Sequence, residues 1–580
     1  MTTLRVWAPR PRSVAAVVDG RAVPARPAGG GWWEAEVGEL APGTRYGWSL
    51  DGGPVRPDPR GARLPDGVTG PSAVVDLAAH AWGDDGFRAP PLGSWVIYEL
   101  HVGTFTPEGT LDAAIGRLDH LVELGVTTVE VMPVAAFPGR HGWGYDGVGL
   151  YAVHEPYGGP HALQRFVDAC HRRGLAVVLD VVYNHLGPSG NHLGEFGPYL
   201  TDRAATPWGD AVNLDGPGSD EVRAFLVDNA RQWLRDVHVD GLRLDAVQTL
   251  HDRSAHPFLA ELAEEVAALA ASLGRPLVLI AETDANDPRL VEPPEAGGLG
   301  LDAMWTDDLH HALHVALTGE RFGYYEDFGP LDLLANAWAT GMAYTGQYSP
   351  HRRRRHGRPP AGTPQERFVV CAQNHDQIGN RMLGERLAAL VSPDALRLAA
   401  AVVLTSPCMP LLFMGEEHAE RRPFLYFTSH GDPELAAAVR AGRKREFAAF
   451  DWQEEPPDPQ AEETFRRCVL DHAVTDRDHL RWTEELLALR RTLPRAEARA
   501  AVLDGDVVVA ERRGAGETLC FAFRCADGTR DVELPLPAGT WLRVLDSHGA
   551  ASAVPEHLDA PDTRRVPLGA FHAVGFRRAP

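Results

Sequence analysis

Val239-Asp-Gly-Leu-Arg-Leu-Asp-Ala-Val247 is the stretch that decides how this chain folds. It is a short apolar run that ends on a carboxylate, Asp245, with Arg243 two positions earlier and so on the same side of an extended strand. Two other segments have the same form: Leu277-Val-Leu-Ile-Ala-Glu282 and Val369-Val-Cys-Ala-Gln-Asn-His-Asp376. Carboxylates so far apart in the chain meet if each run is one strand of a parallel barrel, because closure brings all the carboxyl ends of the strands to one face.

Working outward, eight runs read as strands: 96–102, 127–133, 176–182, 239–244, 277–281, 301–305, 368–372 and 411–414. Between them lie segments with apolar residues every three or four positions, among them 111–124, 162–173, 221–237 and 257–273. Alternation of this kind predicts a (β/α)8 TIM barrel in the α/β class over 91–495. The connection 185–218 after the third strand is long, rich in Gly, Pro and Asn, and without strong periodicity, as functional loops are. Before the barrel, 1–90 alternates short strand-like runs with Gly-, Pro- and Asp-rich turns. This predicts an immunoglobulin-like β-sandwich of the kind seen in carbohydrate-binding modules. After it, 496–580 returns to strand alternation (507–511, 518–523, 531–536, 540–545, 573–576) and predicts a C-terminal β-sandwich.

The 580 residues carry a formal net charge of −23, which repels phosphate and disfavours nucleic-acid or anionic-membrane partners. A neutral substrate suits such a surface. The six cysteines show no Cys-x-x-Cys spacing and read as buried free thiols. No apolar run reaches eighteen residues and the start of the chain lacks the pattern of a leader, so a cytoplasmic protein is expected.

Hydrolysis of a glycosidic bond with retention needs one carboxylate nucleophile and one protonated carboxyl about 5 Å away. Asp245 and Glu282 fit those roles, and Arg243 can hydrogen-bond the nucleophile and favour its charged form. Four apolar residues before Glu282 predict a dry site and a raised pKa, as a general acid requires. Asp376 stands in the polar cluster Gln-Asn-His-Asp-Gln, suited to gripping hydroxyls beside a positively charged transition state.

Asp180-Val-Val-Tyr-Asn-His185, Gly241-Leu-Arg-Leu-Asp-Ala-Val247, Ala281-Glu282 and Asn374-His-Asp376 resemble, in order, the four signature segments of the α-amylase superfamily of glycoside hydrolases. The resemblance implies that Asp245 is the nucleophile, Glu282 the acid/base and Asp376 the transition-state stabiliser, with His185, Arg243 and His375 contacting the sugar at the cleavage position. Gly142-Trp-Gly-Tyr-Asp-Gly147, Gly190-Asn-His-Leu-Gly-Glu-Phe-Gly-Pro-Tyr199, Trp305-Thr-Asp-Asp-Leu-His-His-Ala-Leu-His314 and Gln373-Asn-His-Asp-Gln-Ile-Gly-Asn-Arg381 resemble the maltooligosyltrehalose trehalohydrolases within it.

That family implies cleavage of the α-1,4 bond next to a terminal trehalose unit, with no cofactor and no metal. It also implies a functional pairing with a synthase that forms the substrate. The resemblance further implies substrate contacts from Trp143, Tyr145, Asp146, Gln248, Asp307, Asp308, His310, His311, Gln377, Asn380 and Arg381, with Trp143 and Tyr145 as stacking faces. The chain departs from the family pattern at Gln248, where His is expected, and at Thr283, where Asn or Ser is expected; neither touches the three acids.

Plainer readings stand beside these. One acidic residue at a strand end is more often a helix cap or a solvated charge, and only the ordered set of acids with Arg243 outweighs that. The i, i+4 pair His310 and His314 could hold zinc, but packing or sugar hydrogen bonding is the preferred reading. Asn184 occupies a position that binds calcium in many α-amylases, without an evident oxygen cluster behind it. The Arg352–Arg355 run reads as a solvated or salt-bridging loop, and Trp32, Trp33 and Trp48 as sandwich core. The functional alternatives are a glycogen-branching transglycosylase and a noncatalytic glucan-binding protein on the same fold.

Overall fold

Strands buried on both faces must be apolar almost throughout, and the runs flagged by the hydrophobic pattern meet that condition residue by residue. The computed structural model describes residues 2–206, 208–360, 362–447, 455–473, 476–495, 497–561 and 564–579. Ile97–Leu100, Thr128–Val131, Ala176–Val181, Gly241–Leu244, Val278–Ala281, Ala303–Trp305, Phe368–Cys371 and Met409–Phe413 close into an eight-stranded barrel in chain order. The last strand pairs in parallel with the first, and every residue in all eight is buried. All eight expected strands are present, with ends that differ by a few residues.

Four charged side chains break the apolar rule. The parallel register sets Glu99 beside Glu130 and Asp180 beside Arg243, and none of the four is more than 3% exposed. Residues alternate between the two faces of a strand, so this polar column fills the interior while neighbours such as Tyr98 point to the outer wall.

Three expectations change. The amphipathic segment 111–124 is two helices, Leu111–Ile115 and Leu118–Leu124, separated at Gly116 and Arg117. The apolar periodicity runs through both, and a capping turn at Gly116 interrupts the backbone hydrogen bonds without disturbing it. The connection 185–218 holds a turn of helix, Leu193–Phe196, and a hairpin of Leu200–Thr206 with Gly209–Val212. The exposed, register-shifted hairpin lacks the clean alternation that would have marked it in sequence. Helix 221–237 starts at Ser219, runs to Arg231 and ends in a wider π turn, Gln232–Asp236.

At the N-terminal side, Thr2–Trp7, Trp32–Val37 and Arg26–Gly29 form one antiparallel sheet. Val14–Val18 lies between Arg21–Pro24 and Arg45–Leu50 in another. Trp48 is fully buried, as a core residue should be. Trp32 and Trp33 are partly buried against the same core and are also tied by their indole N–H groups to Glu221 (3.0 Å) and to the Ala8 carbonyl (2.9 Å). Trp7 packs edge-on against Tyr199, and Arg56 pairs with Glu195 at 2.9 Å, so these sheets brace the 185–218 connection.

On the C-terminal side, a six-stranded antiparallel sheet contains Glu497–Leu503 and His557–Ala560, while Arg530–Glu533 pairs with Arg565–Leu568. Glu497–Leu503, His557–Ala560 and Arg565–Leu568 escape sequence reading because their charges and alanines carry little strand preference. The outer edges of the sequence-drawn divisions at Met1, Ala496 and Pro580 lie outside the described residues. All six cysteines are free and only Cys525 is partly exposed. Among the described residues, no helix is long and apolar enough to cross a membrane.

Arg490, at the end of the helix Arg477–Arg490, donates to the carbonyls of Leu404 (2.9 Å), Ser406 (2.8 Å) and Cys408. Replacing it with Met leaves buried acceptors unpaired, at a cost of about 2–4 kcal/mol. Arg490→Met should lower the denaturation midpoint in a thermal or urea melt, while a surface change such as Arg466→Met leaves it unmoved.

Candidate active site

Asp245 follows the fourth barrel strand directly, Glu282 follows the fifth, and Asp376 lies in the first turn of the short helix His375–Gly379 after the seventh. Parallel closure puts all three at the carboxyl face. Asn374 caps that helix, accepting from the backbone N–H groups of Asp376 and Gln377. Beyond Asp245 the chain turns sharply: Ala246 adopts a left-handed conformation (φ 41°, ψ 52°), a strained state for a residue with a Cβ. That turn aims the Ala246 N–H at Glu282, whose Oε2 accepts it at 2.6 Å.

Arg243 is the hub. Its Nη1 donates to Asp180 Oδ2 at 2.7 Å and to Asp245 Oδ1 at 2.8 Å, and its Nη2 lies 3.5 Å from Glu282 Oε2. The guanidinium also lies over the Trp305 ring, 4.5 Å from its centroid. The other oxygen of Asp245 accepts from the Asn184 amide at 2.7 Å. Asn184 Oδ1 meets the His185 ring, so both ends of this amide are engaged within the protein.

Burial pushes the Glu282 carboxyl up to about 8; Arg243 opposes this, and the nearby charges of Asp245, Asp307 and Asp376 reinforce it. Burial likewise pushes Asp307 up to about 7, helped by Asp376 and Asp308. Glu282 is therefore largely protonated at neutral pH although it faces the cleft, its side chain being 15% exposed.

A second chain of contacts runs under the site. Tyr145 donates its hydroxyl to Asp180 at 2.6 Å and accepts from His375 Nε2 at 2.8 Å, with its ring stacked on the imidazole. His375 Nδ1 meets Glu99, whose other oxygen accepts the His375 backbone N–H at 3.0 Å. Burial disfavours the imidazolium, but the Glu99 carboxylate outweighs it and raises the His375 pKa. Asp376 is exposed at the rim, where Asn380 Nδ2 donates to its Oδ1 at 2.8 Å. His185 donates to the Tyr145 carbonyl at 2.8 Å.

The alpha-amylase catalytic-domain family model matches residues 72–196. A malto-oligosyltrehalose trehalohydrolase from Arthrobacter ramosus is 51% identical over 573 residues, covering 97% of this chain and 99% of its own. The chain belongs to the malto-oligosyltrehalose trehalohydrolase family. Another member, from Saccharolobus solfataricus, is 42% identical over 84% of this chain and 85% of its own. A solved structure from Salmonella typhimurium, described as a candidate alpha amylase, superposes with a TM-score of 0.91 at 38% identity, covering 100% of this chain and 97% of that one.

Not every residue implied by resemblance faces the cleft. Trp143 is 6% exposed: its indole donates to the Leu425 carbonyl at 3.0 Å and its ring stacks on Phe424. A Cβ on Gly379 would lie 1.9 Å from that ring, so Trp143 is floor beneath the helix rather than a free stacking face. Asp308 accepts from Asn286 and from the N–H groups of Ala343 and Tyr344, holding a turn. His310 is closed on both nitrogens, by the Ala372 carbonyl (2.6 Å) and the Tyr325 hydroxyl (2.8 Å), and His314 pairs with Glu320. His311 is buried against Tyr324 and Phe328.

Arg381 is held in a two-pronged pair with Glu320 at 2.7 and 3.0 Å. Gln377 reaches Asp307 at 3.0 Å, and Asp146 faces His430 at 3.7 Å. Gln248 is exposed on the short turn after Asp245, while Thr283 is buried and accepts from the Ala285 N–H.

Sequence reasoning gave no site role to Glu99, Asp180 or Trp208, although Asp180 opens one of the signature segments. The first two were detectable as charges inside otherwise apolar strands. Trp208, 41% exposed beside the hairpin and stacked on His185 at 3.7 Å, left no such signal. Tyr145→Phe removes the bridge between Asp180 and His375 and leaves buried polar atoms unpaired. It should lower kcat/KM about 10- to 100-fold with circular dichroism unchanged.

Proposed function

We propose that this chain hydrolyses the α-1,4 bond adjoining the terminal trehalose of maltooligosyltrehalose, releasing trehalose by retaining double displacement. The observation that carries the reading is one buried guanidinium set between Asp245, at 2.8 Å, and Glu282, at 3.5 Å and with its carboxyl pushed up to about 8, in a chain half identical to a named trehalohydrolase.

In the first step Asp245, both oxygens oriented by Arg243 and Asn184, attacks the anomeric carbon. Glu282 gives its proton to the departing O4 of trehalose, and a glycosyl-Asp245 ester forms. Asp376 offsets the positive charge that develops on the ring in the transition state. In the second step the Glu282 carboxylate takes a proton from water, whose oxygen attacks the same carbon, frees the maltooligosaccharide and restores both acids.

The polar groups at the cleft rim, Asp307, Gln377, Asn380, Gln248 and Asp146 among them, supply directional donors and acceptors that a disaccharide with only hydroxyls requires. His185 and Tyr145 complete the cleavage position. The same reading divides the chain into units 1–90, 91–495 and 496–580. It also places the enzyme in the cytoplasm, working in trehalose formation downstream of a synthase that converts the reducing end of an α-glucan to trehalose.

Incubation with maltooligosyltrehalose should liberate free trehalose, whereas new α-1,6 branches on amylose would mark a branching enzyme instead. Asp245→Asn should lower kcat by roughly a thousandfold or more while the variant stays folded and still binds substrate. Glu282 serves in its protonated form and loses that proton as pH rises through about 8. The alkaline limb of kcat/KM should therefore fall across that region, and a profile flat to pH 9.5 would contradict the assignment.

A further inference from the structure

On the outer wall of the barrel, where the last strand closes against the first, two histidines converge on a single carboxylate oxygen. His120, on the helix Leu118–Leu124, brings Nε2 to 3.1 Å from Glu417 Oε1, and His418 brings Nδ1 to 3.1 Å from the same atom. Glu417 and His418 lie in the turn after the eighth strand. We propose that His120, Glu417 and His418 form a divalent-cation site of the zinc class.

The donor set is two imidazole nitrogens and one carboxylate oxygen, which zinc takes in preference to calcium or magnesium. The three ligand atoms lie within 4.8 Å of one another. In a tetrahedral zinc site, bonds of about 2.0–2.1 Å put neighbouring ligand atoms about 3.3 Å apart, close to the 3.1 Å of the two histidine–carboxylate contacts here. Among the described residues this is the one such group.

The surroundings favour a cation over a simple hydrogen-bonded cluster. As donors to Glu417, both rings must carry protons on the nitrogens that face it, which leaves His418 Nε2 buried with no partner. Glu420 Oε2 is also buried without a partner. A metal on Nδ1 displaces the proton that the hydrogen bond to Glu417 requires and leaves Nε2 to carry the ring's remaining proton.

Tyr98 is fixed by the Gly415 N–H at 3.0 Å and lies 3.2 Å from both Glu417 oxygens, so the carboxylate is held in place. The His120 side chain is 31% exposed, which leaves one coordination position open to water. Tyr98 points away from Glu99, its inward-facing neighbour, so the site stands apart from the chemistry at the barrel mouth. A cation there ties the first helical segment to the turn after the closing strand.

The test uses tag-free, full-length protein stripped with a chelator, titrated with Zn2+ by calorimetry and with Co2+ by visible absorption. One equivalent of each should bind, with the visible bands of low-coordinate cobalt, and Zn2+ should raise the melting temperature. His120→Ala and Glu417→Gln should each weaken binding at least tenfold, and His120→Ala should leave activity unchanged. The proposal is overturned if the wild-type protein binds neither ion, or if His120→Ala binds both as tightly as wild type. His120, being half-exposed, decides the matter even if Glu417→Gln fails to fold.

Discussion

The site depends on a cation held where water cannot reach it. Arg243 is 1% exposed, and a guanidinium taken out of water is tolerated only if carboxylates surround it. Asp180 and Asp245 supply close contacts at 2.7 and 2.8 Å, while Glu282 stands farther off at 3.5 Å. This inequality divides the labour between two chemically identical groups. The nearer acid receives a full charge-assisted hydrogen bond, and the farther one is left to its burial and to the repulsion of its neighbours, which keep its proton on.

The support for Arg243 reaches through the barrel. Asp180 holds Arg243 and Tyr145, Tyr145 holds His375, and His375 holds Glu99 on the first strand. Strands one, three and four and the loop after strand seven are thus joined by polar contacts inside a wall that is otherwise apolar. Burial pushes Asp180 up to about 6 despite the adjacent Arg243. The left-handed Ala246 is held in its strained turn by the N–H bond it makes to Glu282, so strain and acid placement are coupled.

The flanking sheets pack against the elements around this site. The N-terminal strands grip the connection after strand three through Trp7, Arg56 and Trp32, and that connection carries His185 and Trp208 to the rim. Behind the barrel, Trp338 packs against Phe521 and Phe523 of the C-terminal sheet.

Much of this was legible in the chain. Eight apolar runs spaced by helical periodicity point to a parallel sheet covered on both faces, for which eight strands suit a closed barrel, and acids directly after such runs then share its carboxyl face. Asp245, Glu282 and Asp376 followed from that rule together with Arg243 and the ordered signature segments around them. Side-chain partnership did not. His310, Asp308 and Trp143 carry the residue types of a sugar site, yet the Ala372 carbonyl, the turn at Ala343 and Tyr344, and the Phe424 ring claim them first. The periodicity of a sequence reports which face a residue lies on. Which distant group reaches it within hydrogen-bond range is settled by how the segments pack, so the Arg243 hub and the Glu99–His375–Tyr145 chain exist only in the folded barrel.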